Sequence, residues 1–393
     1  MLNRAKLVVL ACISAGCIAG CASLPSRQAQ TAANASAAAE VSRAASAAGQ
    51  SRQSGADQTE WDRTLVAAKK EGKVVVSGPP GDVFRQALTS FQQSYPEIQV
   101  EFTGIRSSDW GPRLVTERQS GQFLWDVFVG GTGTSFTQLL PAKALDPIKP
   151  ALVLPEVVDD SKWFNGLDWG FIDEAHQHIL SFNAYVDWSI YLNRDLIPEG
   201  QFTKLEDLLD ARYKGRVSIN EPRETGAGSF HSAIIINAIG ADKFRKFLAE
   251  QDVAVNKDLR QQVEALVRGS RPIAIGVQTA FLDDFKRQGL GANVRPLEVA
   301  GGAGLTPGNG GCACLINRAP HPNAAKVYLN WLLSKDGQTI WSKATATNSR
   351  RLDVPPANPA MVPKPGTEYL FIEREQNQHM RGEAIELAKQ VLQ

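Results

Sequence analysis

Cysteine is scarce in this chain, and most of it sits at one end. Of five cysteines in 393 residues, Cys12, Cys17 and Cys21 lie near the N-terminus, and only Cys312 and Cys314 belong to the body. Two cysteines make no disulfide framework. No second cysteine pair and no well-spaced histidine pair accompanies them, which argues against a structural zinc site. On a strand the two would share one face. Small buried core residues and a strained short-loop disulfide are the roles open to them. Excess charge is missing too. Lys and Arg number 42 against 41 Asp and Glu, so nothing suggests a nucleic-acid partner. Signatures of catalysis are missing as well: there is no Gly-x-Ser-x-Gly elbow and no zinc-protease histidine pair. His231 beside Ser229 and Ser232 is the one dyad that can be drawn, and an exported enzyme is the weakest functional reading. Finally, "LVVLACISAGCIAG" is uncharged over about 14 residues, which is too short to cross a bilayer as a helix.

What is present begins with that short run. It follows "MLNRAK", with Arg4 and Lys6, and so reads as the n-region and h-region of an export signal. It ends in Ile18-Ala19-Gly20-Cys21, which resembles a bacterial lipoprotein lipobox. Residues 1–20 are expected to be a lipoprotein signal peptide and Cys21 the lipidated residue, with an ordinary cleaved signal peptide as the alternative. The chain would then sit in the periplasm or at the cell surface, anchored to a membrane through Cys21. Residues 21–58 are rich in Ala, Ser, Gln and Arg and nearly free of large apolar side chains. That composition predicts a disordered tether.

The body alternates strand and helix patterns. "KVVVSGPP" (73–80) reads as a buried strand running into a turn. Val83, Phe84, Ala87, Leu88 and Phe91 have helical spacing, stopped by Pro96. Strands are predicted at 98–105 and 125–130, with a helix between them. A second set follows: strands in 178–195, 215–222, 271–278, 294–300 and 312–318, with helices from 228, 242, 259 and 280. A single long amphipathic helix is predicted over 323–345. No sequence repeat is visible. Strand–helix alternation implies α/β lobes with right-handed crossovers. With 393 residues, two lobes with a cleft between them are expected.

Two strand-to-helix junctions share one chemistry. One is Gly130-Gly131-Thr132-Gly133-Thr134 and the other is Thr225-Gly226-Ala227-Gly228-Ser229. A helix start leaves N–H groups unpaired and carries partial positive charge. Glycine lets a ligand approach the backbone, and the hydroxyls add donors, so each junction suits a carboxylate, phosphate or carbonate. Neither has the spacing of a nucleotide-binding loop. Plain capping and turn-making is the competing reading of each. One junction per lobe favours a shared cleft. Arg223 and Glu224 form a charged pair at its expected rim.

The segment "IYLNRDLIPEGQFTKLEDLLDARYKGRVSINEPRETGAGSF" resembles the bacterial extracellular solute-binding proteins, as do "LVRGSRPIAIG" and "APHPNAAKVYLNWLLSKDGQTIW". The likeness covers roughly residues 61–355 and is most similar to the branch that binds ferric iron, thiamine, polyamines and phosphonate-type compounds for ATP-driven importers. It implies an α/β fold of the two-lobe type II periplasmic binding class, with hinge strands and a ligand cleft between the lobes. Lobe I would comprise 59–182 and 304–393, and lobe II 183–303. The resemblance places ligand contacts at Ser77, Gly78 and Pro79, at Gly131 to Thr134, at Thr225 to Ser229, at Gln278 and Thr279, and at Asn309 and Gly310. Tyr185 and Arg223 are further candidates. The Trp163, Trp169, Trp188, Tyr185 and Tyr191 rings suit either an organic ligand or hinge packing.

One feature departs from the ferric-binding members, which use adjacent tyrosines. Tyr185, Tyr191 and Tyr213 stand apart. His176 and His178, with Asp173 and Glu174 before them, are the weak metal candidates, against a role as surface polar residues. No cofactor is expected, and Fe3+ enters only as possible cargo. The expected function is a lipid-anchored receptor that captures a small, anionic solute by lobe closure, without chemistry, and delivers it to an importer permease and ATPase. The alternatives are a ferric-anion receptor and a ligand-presenting input to a membrane sensor. The resemblance implies a monomer.

Overall fold

Each of two β-sheets is built around a strand that arrives from the other. The structure is a computed structural model and describes residues 60–308, 310–364 and 366–392. The expected signal peptide and tether, the lipidation site Cys21 and the candidate Asn309 lie outside these residues. Residues 57–393 form one compact unit.

The first sheet holds β1 (Lys73–Gly78), β2 (Gln99–Gly104), β3 (Val127–Gly130), β4 (Leu145–Asp146), β5 (Leu180–Ser181) and, much later in the chain, β13 (Cys312–Ile316). Its order is β2-β1-β3-β13-β4, with β5 also paired to β13. β1 runs parallel to β2 and β3, while β13 is antiparallel to β3 and β4. The second sheet holds β7 (Ile190–Asn193), β8 (Val217–Asn220), β9 (Ala254–Asn256), β10 (Ile273–Ile275) and β11 (Val294–Pro296). Its order, β9-β8-β10-β7-β11, repeats the first. β8 is parallel to β9 and β10, and β7 is antiparallel to β10 and β11. The two sheets are therefore topological copies, although no sequence repeat announces it. Two antiparallel strands between the lobes, β6 (Tyr185–Trp188) and β12 (Ala303–Thr306), form the hinge, with Trp188 opposite Ala303 and Tyr185 opposite Thr306.

Local sequence explains the elements. β1 and β10 are near-continuous runs of Val and Ile because helices cover both faces of a mostly parallel sheet. The helix Leu259–Arg268 starts where the Asp258 carboxylate accepts from the amides of Arg260 and Gln261. It stops at Gly269, whose φ of 77° is left-handed. In lobe I the core gathers Phe91, Tyr328, Trp331 and Trp341. The buried Tyr328 hydroxyl donates to the Leu88 carbonyl at 2.9 Å, which removes the cost of an orphaned donor. In lobe II Phe202, Tyr213, Phe244 and Phe247 pack together.

Two expectations are corrected. The helix over 323–345 is two helices, Pro322–Leu333 and Lys335–Thr345. Ser334 turns extended between them and caps the second by accepting from the Gly337 amide. Second, the stretch 304–393 does not all belong to lobe I. A helix Gln378–Val391, not foreseen from the sequence, places Leu387 and Ala388 in the lobe II core. The chain thus crosses between lobes a third time, through residues 369–378. Of the two roles open to Cys312 and Cys314, the structure shows that of buried core residues: both are free thiols with no disulfide between them. They face Gly130 and Phe128 across the sheet. Burial pushes both thiols up, Cys314 to about 12.

Candidate functional site

In a parallel sheet with helices on both faces, ligands gather at the carboxyl ends of the strands. Here the ends of β1, β2 and β3 in lobe I and of β8 and β10 in lobe II all open into one cavity of about 830 Å³. Pro79 and Pro80 follow β1. Arg106, Ser107 and Ser108 follow β2. Gly131 to Thr134 follow β3, Thr225 to Ala227 follow β8, and Gln278 follows β10. Five strand-to-helix junctions therefore face one space. The hinge supplies Tyr185 and Asp187 on one side and Thr306, Pro307, Gly308 and Gly310 on the other. Glu373 comes from the third crossing and Arg381 from the helix that follows it. A second hollow, of about 360 Å³ beside Arg113, Trp125 and His321, touches lobe I alone.

The glycines of the two predicted junctions divide by role. A methyl group built on Gly131 or Gly133 would meet nothing within 4 Å, and one on Gly226 only Asn220 Oδ1 at 4.0 Å. These positions leave backbone open to the cavity. On Gly228 the same methyl group would lie 2.2 Å from the Asn220 carbonyl oxygen, so that glycine serves close packing of helix on strand. Its amide donates to Asn220 Oδ1 at 3.1 Å. Ser229 is fully buried and caps its own helix. Its hydroxyl accepts from the Gly226 amide and donates to the Gly226 carbonyl, both at 3.1 Å.

Of the residues expected to touch ligand, Pro79, Gly131, Thr132, Gly133, Thr134, Tyr185, Thr225, Gly226, Ala227, Gln278 and Gly310 share the cavity. Others do not reach it. Ser77 is fully buried in β1, and Gly78 packs against Leu88 and Phe102, so the lining begins one residue later, at Pro79. Arg223 turns away: its guanidinium pairs with Glu221 at 2.8 Å and donates to the Leu392 carbonyl. Gly228 and Ser229 are structural, and Thr279 stands behind Gln278 as the first residue of its helix. The tryptophans Trp163, Trp169 and Trp188 and the Tyr191 ring are absent from the lining and belong to packing. Trp169, for example, is flanked by the guanidinium groups of Arg350 at 5.1 Å and Arg374 at 4.8 Å.

Charge in the cavity is balanced and placed. Arg106 and Arg381 stand against Asp187 and Glu373. The Thr132 hydroxyl donates to one oxygen of Glu373, and Arg381 donates to the other at 2.8 Å. Burial, then the nearby Asp187 and Glu373 carboxylates, push the Tyr185 phenol well above its usual range. These charged groups escaped the sequence reading for a physical reason. Arg106 follows β2, and Glu373 and Arg381 lie more than 90 residues beyond the last junction, so only the fold brings them in.

His231 is bonded differently from the imagined dyad. Its Nε2 lies 3.5 Å from Asp187 and its Nδ1 3.3 Å from the Ser189 hydroxyl, not from Ser229 or Ser232. Asp187 and His231 line the cavity, but Ser189 is fully buried and does not, so the one hydroxyl bonded to the His231 ring is out of a solute's reach. The metal candidates separate as well. His176 sits on a left-handed turn (φ 52°) against Asp168, while His178 pairs with Asp173. The strand that would have put them on one face is a series of turns. Among the described residues no group of three or more His, Cys, Asp or Glu side chains is placed to hold a metal ion, and no helix is long and apolar enough to cross a membrane.

Comparison with known proteins places this geometry. Residues 77–339 match the sequence model described as "Bacterial extracellular solute-binding protein". An uncharacterized protein of Haemophilus influenzae is 24% identical over 281 residues, 70% of this chain and 76% of that one. Among solved structures, the Bordetella ferric binding protein superposes with a TM-score of 0.63 at 17% identity, covering 81% of this chain and 98% of that one. Iron-bound HitA from Pseudomonas aeruginosa gives 0.59 at 18% identity, covering 82% and 99%. Trichodesmium IdiA (FutA), in complex with iron and citrate ligands, gives 0.61 at 17% identity, covering 82% and 99%. At these identities the structural likeness shows the fold, which is the expected two-lobe type II periplasmic binding fold.

Proposed function

Because the chain belongs to the bacterial extracellular solute-binding proteins and is a solute receptor for an ATP-driven importer, we propose that its solute is a small anion or an anion-bearing organic molecule, gripped between the lobes. The observation that carries this reading is the convergence of five strand-to-helix junctions, from both lobes, on one cavity. Helix starts offer amide donors and partial positive charge. At the lobe II junction the Gly226 and Gly228 amides are taken by Ser229 and Asn220, while those of Thr225 and Ala227 donate to no other described residue. A solute touching both walls favours the closed arrangement of the lobes, because only there does it make both sets of contacts. No bond is made or broken. Family and fold are those of solute-binding proteins, and the hydroxyl bonded to His231, that of Ser189, is buried away from the cavity.

Iron is the second reading. Solved relatives of the same fold carry it by their own descriptions, and Tyr185, Asp187, Glu373 and His231 offer oxygen and nitrogen donors here. Against it, the cavity holds one tyrosine, and Glu373 is already engaged by Thr132 and Arg381. We further propose that Cys21 carries a lipid that holds the receptor at a membrane. Cys21→Ser should move the chain from the membrane to the soluble fraction.

The test of the main reading is a thermal-shift and calorimetric screen of the chain against phosphonates, sugar phosphates, thiamine, polyamines and ferric citrate. A ligand at a hundredfold over its Kd should stabilise the fold by about 2.7 kcal/mol. Stabilisation by ferric citrate alone would replace the anion reading with the iron one. A polyamine as the sole hit would remove it.

A further inference from the structure

Glu373 reaches the cavity from a part of the chain that no strand-to-helix junction supplies. The third crossing is anchored at both ends. The Leu305 amide of the hinge donates to the Leu370 carbonyl at 2.8 Å, and the Glu375 amide donates to Ile172 of lobe I at 2.9 Å. Beyond it, the helix carrying Arg381 packs on lobe II, with the Arg381 guanidinium 5.4 Å from the Phe230 ring. Between these anchors Glu373 is 8% exposed. One of its oxygens accepts from Thr132 of lobe I and the other from Arg381 on the lobe II side. A hydroxyl and a guanidinium on the two oxygens of one carboxylate are the donor set of an anion site. Here the chain itself provides the anion.

We propose that Glu373 is a resident competitor, a tethered carboxylate that an incoming anionic group must displace from Thr132 and Arg381. The inference rests on the anion reading above and narrows it. A monocarboxylate ligand would only replace one carboxylate by another of the same charge, while losing its translational freedom. A doubly charged phosphoryl or phosphonyl group offers more charge and a third acceptor oxygen to the same donors. Glu373 therefore sets a threshold: every anion meets the same displacement cost, and a dianionic head group, which offers more to the same donors, is the one with affinity left over. Because its two donors belong to opposite lobes, its displacement also exchanges a bridge made by the chain for one made by the solute.

The experiment is isothermal titration of the full chain and of Glu373→Gln with inorganic phosphate, methylphosphonate and acetate as probes. Removing the competing charge should tighten phosphate binding about tenfold, the effect of freeing one charged hydrogen-bond partner. It should tighten acetate by a similar factor, because both ions lose the same competitor. Glu373→Asp keeps the charge but withdraws its reach. It should also tighten phosphate, and it serves if the Gln variant folds poorly. If the wild-type chain binds phosphate and neither variant binds it more tightly, Glu373 is not a competitor, while the anion cavity stands. If no probe binds wild type or variants, the inference and the anion reading fall together.

Discussion

The α-carbon of Gly228 faces the carbonyl of Asn220 so closely that an added methyl group would lie 2.2 Å from the oxygen. Backbone is on both sides of this contact, so no side chain can swing aside. Gly228→Ala should therefore lower the melting temperature by several degrees, a destabilisation of roughly 2 kcal/mol. Gly133→Ala has open space at the same point of the other lobe. It should leave the melting temperature unchanged within a degree or so and weaken solute binding, because the methyl group enters the cavity. Equal melting losses in both variants would overturn this division between packing glycines and access glycines.

Thr225 and Ser229 should part in the same way. Thr225 lines the cavity, and Ser229 is a buried cap bonded to Gly226 in both directions. Ser229→Ala should cost about 1 kcal/mol of stability, as loss of a helix cap does. Thr225→Ala should weaken solute affinity severalfold at unchanged stability. Calorimetry and thermal melts on the two single variants check this. A large affinity loss in Ser229→Ala without a stability loss would return that residue to the site.

Asp173 organises the loop that holds His178. Burial alone would raise its carboxyl. The amides of Ile179, Gln177 and His178 and the His178 ring outweigh that and hold it below the ordinary carboxylate range. A depressed folded-state value means stability that is present above the unfolded value of about 3.8 and lost as pH falls below it. Asp173→Asn should cost about 2 kcal/mol at neutral pH. It should also flatten the acid limb of the stability curve, read as denaturation midpoints between neutral pH and pH 3. A parallel acid limb in the variant would show that other carboxylates dominate there.

The buried thiols allow a simple check on the fold. Cys312 and Cys314 are fully buried and burial disfavours their thiolates, so both should resist a maleimide in the native chain and react fully in guanidinium. Peptide mapping by mass spectrometry reads this. Rapid native labelling of Cys314 would mean that β13 does not sit at the centre of the lobe I sheet.

Legibility from sequence followed the range of the interactions. β1, β2 and β3 and the helix closed by Gly269 were readable because period, cap and breaker residues act within a few positions. Gly131 and Gly226 were readable as cavity residues because a glycine-rich strand end is a local signal. Ser229 looked the same as Thr225 in sequence. Only the three-dimensional turn shows its hydroxyl folded back on Gly226. The short hinge strand β12 was hidden in "GGAGLTPGNGG", where tertiary pairing with β6 overrides weak strand propensity. Glu373 and Arg381 gave no signal, since their meaning comes from a third crossing made after lobe II is already built.

Tyr185 decides between the anion and iron readings. Its phenol lies among Asp187, Glu373 and Thr306, and burial with the two carboxylates raises it far above neutral pH. A neutral phenol there acts as a hydrogen-bond donor, and it gives up its proton only to a strong Lewis acid. Tyr185→Phe should then change affinity for a phosphate-type solute by no more than about threefold, since one neutral hydrogen bond is worth about 0.5–1.5 kcal/mol. Iron cargo predicts the opposite: a visible tyrosinate-to-iron absorption band on adding ferric citrate to the wild-type chain, lost in Tyr185→Phe along with most of the binding. Appearance of that band would make the second reading the right one. A flat visible spectrum together with phosphate-dependent stabilisation would leave Tyr185 as a donor at the hinge.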